Sequence, residues 1–167
     1  MFKLNKYCEQ FFYYQKNTGD NMDKDIEEKK LAVKSLHNFI EFFNDKDKDK
    51  ILNCLHYPHM AQSENNDPKI YKNKEEMWGY IGFLLNKLET EENWKKTTLD
   101  KVEVVNSSNN AVQCNVEFNR RYENEESYAK AAGIWIATKK KGKWGLQLRT
   151  MITVSGKISI LAGGKIN

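Results

Sequence analysis

Arginine is scarce in this chain: of its 27 basic residues only Arg120, Arg121 and Arg149 are arginine, the rest being lysine. The guanidinium fork reads guanine edges and grips phosphates bidentately, so a lysine-dominated surface argues against specific nucleic-acid recognition despite the net charge of +4. Cysteine is equally sparse. Cys8, Cys54 and Cys114 are odd in number, widely spaced and without a CxxC pair, which excludes a disulfide framework or zinc knuckle and fits a reducing cytoplasm. Two prolines and nine glycines exclude collagen-like or proline-rich architectures. No apolar run approaches the ~18 residues of a membrane-spanning helix, and the N-terminus lacks the apolar core of a signal peptide, so neither a membrane partner nor secretion is expected. GxGxxG, GxxxxGK[ST] and GxSxG are all missing, which removes dinucleotide, P-loop and serine-hydrolase chemistry, and no cofactor is expected.

What the chain does have is a large aromatic share. Four Trp, eight Tyr and eight Phe in 167 residues supply the apolar surface for one domain and leave no room for two. Ala32, Leu36, Phe39, Ile40 and Phe43 recur at the spacing of one helix face, which predicts a helix over 23–44. The Thr18–Asn21 turn cluster separates it from residues 1–21, read as an N-terminal extension, with Met22 a candidate second start. A short second helix carrying Ile51, Leu52 and Leu55 stops before Pro58, short strands follow near Pro58–Met60 and Lys69–Tyr71, and Asn73 caps a third helix over 74–88. Beyond Trp94 the pattern is strand. Val112, Cys114, Val116 and Phe118 alternate with polar residues, and Lys139–Lys143 reads as a hairpin turn rather than a nucleic-acid patch. The class is α+β, the domain spans 22–155, and 156–167 is a tail containing Gly163 and Gly164.

This order of elements resembles the nuclear-transport-factor-2-like superfamily, which includes SnoaL-like polyketide cyclases, ketosteroid isomerases and scytalone dehydratase. The resemblance covers residues 24–154 and is carried by the long first helix, by Leu55-His-Tyr-Pro-His-Met60, by the helix opening at Lys74-Glu-Glu, and by the strands closing with Lys143-Trp-Gly-Leu-Gln-Leu-Arg-Thr150. It implies a curved antiparallel sheet wrapped around the first helix as a cone, a largely apolar pocket at the wide end, and commonly a homodimer through the outer sheet face. Ketosteroid-isomerase-like members carry an acid just before a proline after the second helix, and here that position is Tyr57.

Candidate site residues follow from chemistry and position. His59 is the candidate pocket base, since an imidazole titrates near neutral pH. With His56 it makes an HxxH spacing, but Pro58 breaks the helix that zinc ligation would need, and no metal is expected. Arg120 continues the face of Phe118 and is placed to pair with an acidic ligand group or to snorkel at the strand end. Arg149 points either into the cavity or towards a second subunit. Tyr57 and Trp78 are read as ligand walls at the entrance, Phe118 as a further ligand-binding residue beside Arg120, and Cys114 as inert core. Three functions remain open at this stage: a cavity binding a small hydrophobic or weakly acidic molecule, a cofactor-independent isomerase, dehydratase or cyclase with His59 as base, and a protein-interaction domain.

Overall fold

A computed structural model describes residues 6–64, 66–156 and 158, with side chains from Lys24 onward. The chain runs α1 (Lys6–Asn44), α2 (Lys48–Asn53), β1 (Leu55–Ser63), β2 (Lys69–Tyr71), α3 (Lys74–Glu91), β3 (Lys96–Ser107), β4 (Ala111–Arg121), β5 (Ser127–Lys140) and β6 (Lys143–Gly156). The helix expected from residue 23 therefore begins at Lys6 and continues through the predicted Thr18–Asn21 turn. The expected second helix also gives up Leu55, which opens β1. The tail beyond 156, apart from Ile158, lies outside the described residues.

The six strands form one sheet in the order β2-β1-β6-β5-β4-β3, antiparallel throughout except for the parallel pair β1–β6. The α1 stripe foreseen from spacing is buried: Ala32, Leu36, Phe39, Ile40 and Phe43 pack into the same core as Trp135 and Leu146. Two edge-to-face contacts hold the helix, Phe39 with Trp135 against the sheet and Phe43 with Trp94 against the loop that leads into β3. At its end, Asn44 accepts from Thr97 N and donates to Thr97 O, both at 2.8 Å, which ties the helix to β3. Further back, Glu28 accepts from Trp144 Nε1 at 2.7 Å and from Lys139 Nζ at 2.6 Å, a tie to the β5–β6 hairpin. That hairpin turns on Lys141 and Gly142, both at positive φ, the conformation that matches a two-residue turn to strand twist.

Two irregularities shape the interior. In β6, Gln147 is an extra residue, since Ile136 pairs with Leu148 and Ala137 with Leu146. A bulge of this kind resets the alternation, so Leu146 and Arg149 both face inward although they differ in parity. On the other side β1 bulges more deeply, with four residues, His56 to His59, lying between the paired positions Leu55 and Met60 opposite that same Gln147. The Tyr57–Pro58 peptide in this bulge is cis. Gln147 Nε2 donates to Pro58 O and so joins the two irregularities.

Among the described residues no helix is long and apolar enough to cross a membrane.

Candidate functional site

Between α1 and the inner sheet face lies a cavity of about 40 Å³. Phe39, Ile40 and Phe43 of α1 and Leu84 of α3 form one wall, and Thr97, Phe118, Trp135 and Met151 from the strands form the other. Arg120 and Arg149 are the charged residues in the lining. A single water molecule needs roughly 10–15 Å³ of such space, so this cavity admits a few heavy atoms. Two larger depressions lie on the surface, one between α1 and Val104 rimmed by lysines, the other around Glu28 and Asn110.

The two arginines are held differently. Arg120 Nη1 donates to both oxygens of Glu92, at 3.1 and 3.0 Å, with both side chains almost fully enclosed. Tyr128 Oη donates to the same carboxylate at 2.6 Å. Burial, and then this bond to a carboxylate, push the Tyr128 phenol far above its ordinary range. Among the described residues Arg149 has no such carboxylate. Its Nε–H donates to His59 Nε2 at 3.1 Å, its guanidinium lies 4.6 Å from the Phe39 ring centre, and its Nη2 is buried with no acceptor among the described residues. Trp135 stands directly across the β5–β6 ladder from Arg149, and its Nε1–H likewise has no acceptor.

His59 is fully buried beside the cavity and is not part of its lining. Its Nδ1 lies 3.1 Å from Leu146 O, which requires Nδ1 to carry the proton and leaves Nε2 as the acceptor for Arg149. Burial, followed by the neighbouring Arg149 charge, holds its pKa well below 6.5. The imidazole is neutral, and both nitrogens are committed.

Of the residues singled out in the sequence, Phe118, Arg120 and Arg149 converge on the cavity, with His59 one bond behind Arg149. Tyr57 and Trp78 lie elsewhere. The Tyr57 hydroxyl donates to Leu52 O at 3.2 Å, and the Trp78 ring lies under Lys48 Nζ at 5.2 Å. Cys114 is buried core, its thiol pushed up to about 11 by burial. Sequence reasoning passed over Glu92, which is 28 positions from Arg120 and carries no local signal of that pairing. It also singled out no role for Trp135, although a buried indole with a spare N–H is a potential donor. Among the described residues no group of three or more His, Cys, Asp or Glu is clustered as metal ligands are.

No protein-family model matches the chain, and no curated protein does. Solved structures do. A nuclear-transport-factor-2-like protein with a cystatin-like fold from Novosphingobium aromaticivorans superposes with a TM-score of 0.63 at 10% identity, covering 85% of this chain and 91% of its own. A cystatin-like protein of unknown function from Nostoc punctiforme gives 0.60 at 16% identity over 75% and 90%. A ketosteroid isomerase-like protein from Erwinia carotovora atroseptica gives 0.55 at 12% identity over 75% and 95%. At such identities the likeness is one of fold, and folds of this kind carry many functions.

Proposed function

From the nuclear-transport-factor-2-like, cystatin-like cone as premise, we propose that the chain is a small-molecule-binding module whose cavity takes a hydrophobic or weakly acidic ligand of a few heavy atoms. The cavity carries this reading: its aromatic and aliphatic walls with a few polar groups are the kind of lining a ligand site has, at a volume that limits the occupant to a few heavy atoms. Binding is favoured over proton transfer because no carboxylate or imidazole lines the space among the described residues. Glu92 behind Arg120 is engaged by two donors, and the lone pair His59 would need as a base is occupied by Arg149. Its neutral imidazole is assigned to holding Arg149 in place. Tyr57 and Trp78 are assigned to packing.

The outer sheet face supports a second copy as partner. Ile134, Ile152 and Val154 are about half exposed there, an apolar strip on a face that would otherwise meet water.

Leu84→Phe tests the binding reading by extending a ring into the cavity from its wall. A fragment screen read by thermal shift and protein NMR is expected to find small apolar compounds that perturb Phe39, Phe118 and Met151 in the wild type, with the effect lost in Leu84→Phe. Binding that is indifferent to this substitution would contradict it. A turnover found with any screened compound and slowed about a hundred-fold by His59→Gln would establish the catalytic alternative instead.

A further inference from the structure

Arg149 is a buried cation with no carboxylate beside it among the described residues. It is 4% exposed, and among the described residues the groups acting most strongly on its charge are Tyr80, Tyr71, Cys54 and Tyr57, beside the His59 it donates to. The phenol of Tyr71 and the thiol of Cys54 are each held up at about 12 by burial, so they are neutral at physiological pH. Arginine does not escape the cost of burial by losing its proton, and an isolated buried ion is expensive unless it is paired. Its cross-strand neighbour Trp135, 1% exposed and itself one of the lining residues, adds a second buried N–H without an acceptor among the described residues. Both groups only donate, so neither can satisfy the other. What is missing is an acceptor that carries negative charge.

We propose that the cone cavity contains an anion subsite for a short monocarboxylate, with Arg149 Nη2 and Trp135 Nε1 as its donors. The proposal rests on the reading of the cone as a binding cavity and names the class of ligand. Three observations narrow it. Arg120 is neutralised by Glu92, which leaves one unmatched positive charge and selects a monoanion over a phosphate dianion. Arg149 Nε is committed to His59, so the carboxylate meets the outer edge of the guanidinium rather than its Nε side, with an oxygen for the indole N–H opposite. The cavity's volume leaves space for a short tail against Phe39, Phe118 and Met151. His59 is then a positioning residue, fixing the rotation of the guanidinium through Nε. The Tyr71 hydroxyl, also buried without a partner, is a further donor near the same cation.

The test uses the full chain, ¹⁵N-labelled, titrated at constant ionic strength with acetate, propionate and butyrate, with the corresponding primary amides, and with chloride. The Trp135 indole N–H and Arg149 Nε–H resonances, assigned through Trp135→Phe and Arg149→Lys, are the readout. The acids are expected to move both resonances, and the amides and chloride to leave them in place. Arg149→Gln should weaken acid binding at least about ten-fold, the loss expected for one charged hydrogen bond. Trp135→Phe should weaken it less and retain preference for acids over amides. Should Arg149→Gln fail to fold, Arg149→Lys, which keeps the charge but loses the planar donors, is expected to weaken it measurably. Amides that bind as well as the acids, chloride that reproduces the shifts, or an Arg149 variant with undiminished acid affinity would each overturn the anion subsite while leaving the binding cavity standing. Silence from acids and amides alike, with no other fragment perturbing the cavity, would remove both.

Discussion

His59 occupies a position where protonation is forbidden by its surroundings, since Leu146 O needs the Nδ1 proton and Arg149 Nε–H needs the Nε2 lone pair. Its folded pKa is far below the 6.5 of the unfolded chain, so below that value the unfolded state binds the extra proton and the folded state does not. The contribution is fully present above 6.5 and is lost as pH falls towards the folded value. Urea denaturation between pH 7.5 and 5 should therefore show stability falling towards acid, with a limiting slope of about 1.4 kcal/mol per pH unit from this group. His56, also held down by burial, contributes with the same sign. In His59→Gln the slope should shrink, and a variant with the wild-type slope would show that His59 is not the responsible group. The Arg120–Glu92–Tyr128 cluster makes a different prediction. Replacing Glu92 by Gln leaves a buried guanidinium without its counter-charge and should cost about 3 kcal/mol or more, measured by chemical denaturation, whereas Tyr128→Phe should cost about 1 kcal/mol.

The strands and helices were legible wherever one period ran undisturbed. Val112, Cys114, Val116, Phe118 and Arg120 are all buried on one face of β4, as alternation implied, and the α1 stripe packs as its spacing required. Asn73 caps α3 by accepting from Glu76 N at 3.0 Å. What alternation could not reach was the facing of Arg149, because a bulge at Gln147 is a tertiary accommodation to β1 and has no signature in β6 alone. The continuity of α1 through Thr18–Asn21 was missed for a related reason: Gly and Asn are poor helix formers, yet propensity is a weak prior that context overrides. A second contact without a sequence signal is Gly133. A Cβ there would sit 1.7 Å from Thr150 O, and the Thr150 hydroxyl bridges the gap by accepting from Ile134 N at 3.0 Å. Gly133→Ala should therefore cost about 3 kcal/mol or more by forcing β5 and β6 apart, and a thermal midpoint within a degree or two of wild type would refute this close approach.

For the whole molecule, the cone leaves two unsatisfied surfaces, one inside and one outside. The outer strip of Ile134, Ile152 and Val154 predicts a dimer with twice the 19.6 kDa mass of one chain, and Ile152→Lys should return it to monomer in light scattering at micromolar concentration. A wild-type chain that is monomeric under those conditions would contradict this. The inner surface is the cavity, whose wall holds one arginine neutralised by Glu92 and one, Arg149, without a carboxylate among the described residues. A crystal structure of the chain grown with propionate examines it most directly. The account predicts the acid's tail against Phe39, Phe118 and Met151, with its carboxylate on Arg149. A well-ordered structure with the cavity free of propionate, or with propionate bound only at the surface, would contradict it.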